Sequence, residues 1–259
     1  MKTAGIGFAP VRRRRYRALL VLAIGLAGAP AWAVEASVYL LTPTVTQGDR
    51  EIDSHSGVSS SGPAVARESD STLALGMGLT EHWFSELGLR YARVGAAGTS
   101  WDVLEWENVL ALAEPGGWPI DVGVALEAEV PHQSAQGVSV RAGPLLQKDF
   151  YNIEVNCNVL FGHYLRTGEF TATQIEYQAQ IKIRYRQPLE FGLQAFGNFA
   201  SPTRAWAGYA EQLHRVGPAI MGRFLLPQER SISYNAAYLV GTTAHSPDRT
   251  LRVQVEYEF

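Results

Sequence analysis

Residues 251–259 read LRVQVEYEF. Leu251, Val253, Val255, Tyr257 and Phe259 alternate with Arg252, Gln254, Glu256 and Glu258, and a period of two sends successive side chains to opposite faces of a β-strand. In a soluble domain the apolar face packs on a core. In an outer-membrane barrel it meets lipid, and the polar face lines the lumen. The remainder of the chain decides between the two.

About twelve such segments follow one another, from ASVYLL (36–41) and STLALGMGL (71–79) to the closing LRVQVEYEF. The connections alternate in length. TEH, EPGGWP, KDFY, QP and PQER are short, whereas VGAAGTS, PHQSAQG, GHYLRTGEFTA, ASPTRAWAGYAEQL, GTTAHSPDR and the stretch 42–70 are mostly longer. Short turns on the periplasmic side and longer loops outside are the topology of an up-and-down membrane barrel. In QIEYQAQIKIRYR (174–186) the apolar face of Ile175, Tyr177, Ala179, Ile181, Ile183 and Tyr185 carries no charge, nor does that of Ile120, Val122, Val124, Leu126, Ala128 and Val130. A basic side chain facing lipid costs about 2–4 kcal/mol at the midplane, so clean segregation is expected there. Aromatic residues near segment ends, among them Trp83, Tyr91, Trp101, Trp118, Tyr151, Tyr185, Trp206 and Tyr257, suit the interfacial girdles. The expected fold is therefore all-β, a transmembrane antiparallel up-and-down barrel of about twelve strands with both termini in the periplasm.

The N-terminal region carries Arg12, Arg13, Arg14, Arg15 and Arg17, then an uncharged run to Ala33 that closes on Ala31-Trp32-Ala33. Basic, apolar and A-x-A parts in that order are a secretory signal. Residues 1–33 are expected to be a signal peptide, and 34–259 the barrel. The lone cysteine, Cys157, rules out an intramolecular disulfide and reads as a small apolar strand residue. A net charge of −3 with both signs spread along the chain gives no argument for nucleic acid.

A final Phe259 with Tyr257 two residues before it resembles the C-terminal signal read by the barrel assembly machinery. GLTEHWFSELGLRY, LEFGLQAFGNF and HRVGPAIMGRF extend the likeness from about Ser71 to the end. In them the chain resembles the proteobacterial outer-membrane barrels grouped with those of the MetA pathway of phenol degradation. The resemblance implies an uptake barrel for small molecules, hydrophobic ones included. It supplies no functional residues.

Charge on the inward face is the remaining signal. Glu86, Glu105, Glu107, Asp121, Glu127 and Glu129 are expected to form an acidic wall, with Arg90 as its exception. Arg141, Lys182, Arg184, Arg186, Arg215, Arg223 and Arg252 are expected to form a basic wall. Such a lining selects polar solutes in an open pore. In a narrow barrel the same charges pair across the interior and fill it. Both readings stay open: porin-like passage of a small solute, or a closed barrel that acts structurally or through its loops. The expected partners are outer-membrane lipid and lipopolysaccharide, the assembly machinery and an unidentified solute.

Catalysis has little support. The i, i+2 spacing of Glu105 with Glu107, and of Glu127 with Glu129, states only that each pair shares a strand face. His245-Ser246 with Asp248 places a nucleophile beside a base, and no second motif supplies an oxyanion hole. A lipid hydrolase at the rim is the least supported reading. No histidine pair has metal-ligand spacing, so no metal or cofactor is expected. Asp49, Glu51 and Asp53 lie in the polar stretch 42–70, read as a surface loop, and lack the spaced Gly and closing Glu of a calcium loop.

Overall fold

The computed structural model describes residues 35–96, 98–133, 137–165, 172–201 and 204–259. The expected signal peptide lies outside them. Twelve antiparallel strands close into a barrel, each paired with its neighbours in sequence and β1 paired with β12. They are β1 (Arg50–Ser59), β2 (Glu68–Thr80), β3 (Trp83–Val94), β4 (Ser100–Ala111), β5 (Asp121–Pro131) and β6 (Val138–Phe150). The second half is β7 (Ile153–Leu165), β8 (Gln174–Arg186), β9 (Leu189–Asn198), β10 (Leu213–Leu225), β11 (Ser231–Gly241) and β12 (Arg249–Glu258). These lengths suit strands that cross a bilayer at a tilt, which need about 9–11 residues.

Side-chain burial follows the period of two. Along β2, Asp70, Thr72 and Ala74 are buried, whereas Leu73 and Leu75 between them are 59% and 64% exposed. Ile181, Ile183 and Tyr185 of β8 and Leu251, Val253 and Val255 of β12 likewise stand outward and exposed. Cys157 faces outward too, in line with Phe161 on β7. The molecule is thus apolar outside and polar inside, the inverse of a water-soluble sandwich and the arrangement that lipid requires.

The first strand differs from the sequence expectation. ASVYLL is not a strand, and β1 lies instead within the stretch read as a loop. The outward face of β1 carries Ile52, Ser54, Ser56 and Val58, whose two serines interrupt the apolar pattern; the Ser56 and Ser71 hydroxyls sit 2.8 Å apart across β1 and β2. One strand was missed and one non-strand was counted, so the total of twelve stands. The connections 81–82, 151–152 and 187–188 are tight, but 112–120 is longer than EPGGWP suggested. There a turn from Glu114 to Gly117 is braced by the Asp121 carboxylate, which accepts the Gly116 N–H at 2.6 Å.

Residues 35–49 run inside the barrel. At one end, Gly48 N–H donates to Gly78 O and Gly78 N–H to Asp49 O, close to the short-connection end of β2. At the other, Ala36 N–H donates to Asp70 near the long-connection end of the same strand. The segment therefore rises through most of the lumen. Glycines admit it: a Cβ at Gly57 would collide with the backbone of Ala36 and Ser37, and one at Gly78 with Thr46 O. Leu41, Val45 and Tyr39 pack against Val109, Ala111, Ala125, Leu145 and Leu160 of one wall. Val38 packs against Phe196, Ala219, Met221, Ala237 and Leu239 of the other.

Candidate functional site

Strand register assembles the lumen's acidic face. Read across the sheet, Glu258, Glu51, Gly76, Glu86, Glu107, Glu127 and Arg141 lie in one row from β12 to β6. The adjacent row is Glu256, Asp53, Ala74, Gly88, Glu105, Glu129 and Ser139. Directly opposed like charges are destabilising unless something compensates them. Toward the β5–β6 side, compensation comes from two arginines. Arg141 meets Glu127 and Glu129 at 2.6 Å each and Glu176 of β8 at 3.5 Å. Arg90 meets Glu105 at 3.2 Å, Glu35 of the inner segment at 3.3 Å, Asp102 at 3.6 Å and Glu129 at 3.8 Å. Among the described residues, Glu86 and Glu107 lie in the same row without such partners, and Asp121 is set apart in the turn described above.

The basic residues do not form an uninterrupted wall. Lys182 is 3.0 Å from Glu154 and 3.5 Å from Glu190, and Arg184 is 2.9 Å from Asp149 and 2.5 Å from Glu154. Arg223 bonds the Glu258 carboxylate and Ser231 Oγ. Arg215 is buried and donates to Glu35 O at 2.9 Å. Arg186 is exposed at the end of β8, with its guanidinium over the Tyr185 ring. Arg252, 1% exposed, bonds Gln194 and Asn235 and lies 5.4 Å from the Phe196 ring centre, with no carboxylate of the described residues on it.

Sequence reading left the carboxylates of Glu35, Glu154, Glu176 and Glu190 out of the expected walls, set Glu51 and Asp53 in a loop, and missed a belt of amides. Gln147, Asn156, Gln180 and Gln194 hydrogen-bond in series across β6 to β9, and Gln254 of β12 donates to Asp53 of β1 at 2.8 Å. Their inward position in the alternating pattern was the available signal, because a polar residue between two apolar ones faces the lumen.

Inside this lining lies a cavity of about 650 Å³, toward the short-connection end. Glu51, Asp53 and Glu86 border it on one side, Lys182, Arg184 and Arg223 on another, with Thr44 and Val45 of the inner segment beside them. A second, separate cavity of about 20 Å³, room for about one water, lies next to Glu35, Glu105 and Arg141. The inner segment is held there by backbone and side-chain bonds. Leu41 N–H donates to Gln178 at 3.0 Å, Asn158 donates to Leu41 O at 2.8 Å, and the Tyr39 hydroxyl donates to Glu107.

The rim pair lacks catalytic geometry. The buried Ser246 hydroxyl is 2.9 Å from both N and O of His214 and 2.6 Å from Thr243 Oγ1, while His245 Nδ1 lies 2.9 Å from Ala210 O. Serine and histidine therefore face separate partners.

Comparison with solved structures places the fold. The barrel superposes on an outer-membrane channel from Pseudomonas putida F1 with a TM-score of 0.60 at 9% identity, covering 83% of this chain and 96% of that one. It superposes on the NanC porin with a TM-score of 0.53 at 10% identity, covering 80% and 98%. The fold is that of outer-membrane channels. No family model matches the sequence. No curated protein matches it either.

Proposed function

We propose that the protein sits in the outer membrane, with its short connections and both termini on the periplasmic side, and passes small polar solutes through its lumen by diffusion. The charged lining sets selectivity, and residues 35–49 set the resting width. The observation that carries this reading is the cavity of about 650 Å³, whose remaining obstruction is a chain segment rather than the wall. A structural barrel would gain stability from an apolar, side-chain-filled interior. Here carboxylates, lysine and arginines instead surround open volume, as in a pore whose lining controls entry. Tyr257 and Phe259, stacked with ring centres 5.5 Å apart beside the β1–β12 seam, act as the signal for the assembly machinery. Lipid and lipopolysaccharide contact the exposed apolar belt.

The ion pairs of Arg90 and Arg141 favour a second reading, a lumen permanently filled at its outer half. Swelling of liposomes that contain the refolded protein separates the two. Uptake of sugars and amino acids that falls with solute size supports passage. Swelling no faster than in protein-free liposomes, at every solute size, supports the filled barrel.

A further inference from the structure

We infer that the lumen holds a divalent-cation site made by Glu51 of β1, Asp53 of β1 and Glu86 of β3, and that its occupant is calcium. This goes beyond passage of solutes and does not depend on it.

The site follows from register. Gly76 of β2 lies between Glu51 and Glu86 in the cross-strand row and has no side chain, so the Glu51 stem and the Phe84 ring lean over it. Ala74 lies between Asp53 and Gly88 in the next row and leaves similar room. One oxygen from each of the three acids lies within 4.8 Å of the others. Calcium bonds carboxylate oxygens at about 2.3–2.6 Å, so oxygens on opposite sides of one ion are about 5 Å apart. The three acids are therefore close enough to share one ion.

Other groups of the lining touch the margins of the site: His55 Nε2 lies 2.7 Å from Asp53 Oδ2, and Arg223 bonds the Glu258 carboxylate at the β12 end of the row. Among the described residues, Arg90 and Arg141 neutralise the β4–β6 side of the acidic rows and Arg223 pairs with Glu258 at the β12 end, but no ion pair of a lysine or arginine reaches Glu51, Glu86, Glu107 or Glu256. Glu86 is 7% exposed and Asp53 is 4% exposed. Among the described residues, Glu86 receives no hydrogen bond from outside the acidic group. The Asp53 Oδ2 atom accepts from His55 and Gln254, but its Oδ1 atom is buried with no partner. Unpaired buried carboxylates are costly, and they are normally paired or coordinate a metal. Glu107 and Glu256 stand opposite Glu86 and Asp53 and add further oxygens at the margin. The adjoining cavity admits the water that completes the six to eight ligands calcium takes. Calcium fits better than magnesium, which favours one or two carboxylates and keeps most of its water.

Isothermal titration of calcium into the folded, mature protein in detergent tests this. One saturable ion per chain is expected, with at least tenfold weaker binding in Glu86→Gln and in Glu51→Gln. Binding in Glu127→Gln, whose parent carboxylate pairs with Arg141, is expected to be unchanged. If Glu86→Gln does not fold, the less buried Glu51→Gln carries the comparison. Absence of saturable binding by the folded wild type at millimolar calcium overturns the site. So does unchanged affinity in Glu51→Gln, or equal weakening in Glu127→Gln.

Discussion

The hydroxyl of Tyr39 donates to the carboxylate of Glu107, and this bond ties the inner segment to the wall of β4. The same tyrosine ring lies 3.8 Å, centre to centre, from that of His55 on β1. One side chain thus anchors the segment to two strands of the barrel.

Tyr39→Phe keeps the ring contacts and removes the bond. A hydrogen bond to a charged group is worth about 1.5–3 kcal/mol, and about 1.4 kcal/mol is a factor of ten in an equilibrium. The open-to-closed ratio of single channels should rise at least about tenfold, with the folded barrel unaltered in its heat-modifiable mobility on gels. An unchanged ratio would mean that Tyr39 does not hold the segment.

Gly57→Leu tests the path of the segment in the intact chain. Its side chain would occupy the space now filled by Ala36 and Ser37. The segment should leave the upper lumen, and a protease added to the folded protein should cut within residues 35–49 where it does not cut the parent.

Arg141→Met should cost stability. It leaves Glu127, Glu129 and Glu176 without their shared cation, and breaking a buried pair from one side costs about 3–5 kcal/mol. The temperature at which the folded band disappears on gels should fall clearly, and Arg141→Lys should fall less.

Arg184→Ser and Arg186→Ser should differ. Arg184 is paired with Asp149 and Glu154 beside the cavity, whereas Arg186 is exposed at the strand end. Loss of Arg184 frees Asp149 and leaves Glu154 with Lys182 alone beside the cavity, and reversal-potential measurements should shift toward cations. Arg186→Ser should shift them much less. Equal shifts would contradict the assigned positions.

The barrel was legible because lipid imposes one rule on every strand. A residue such as Ile181 or Leu251 must be apolar outside, so the alternation recurs where no single strand is decisive. β1 escaped because Ser54 and Ser56 occupy outward positions, and ASVYLL resembled a strand because it is apolar enough to pack against the lumen walls. A short apolar run does not reveal whether its partner is lipid or the inside of a barrel. The signs of the lumen charges were legible from inward position, but their partners were not. Lys182 meets Glu154, and Glu86 meets Glu51, through register between strands, which the pattern along one strand does not contain. Asp121 shows the same limit at a strand end, where a turn rather than the lumen claims its carboxylate.

If the inner segment rather than the wall limits the lumen, its removal must widen the channel. Single-channel recording in planar bilayers decides this with the protein from residue 34 onward and a variant that also lacks residues 35–47. Small or rare openings are expected for the first and large, long-lived ones for the second. Equal conductance in two correctly folded barrels would show that the wall sets the limit.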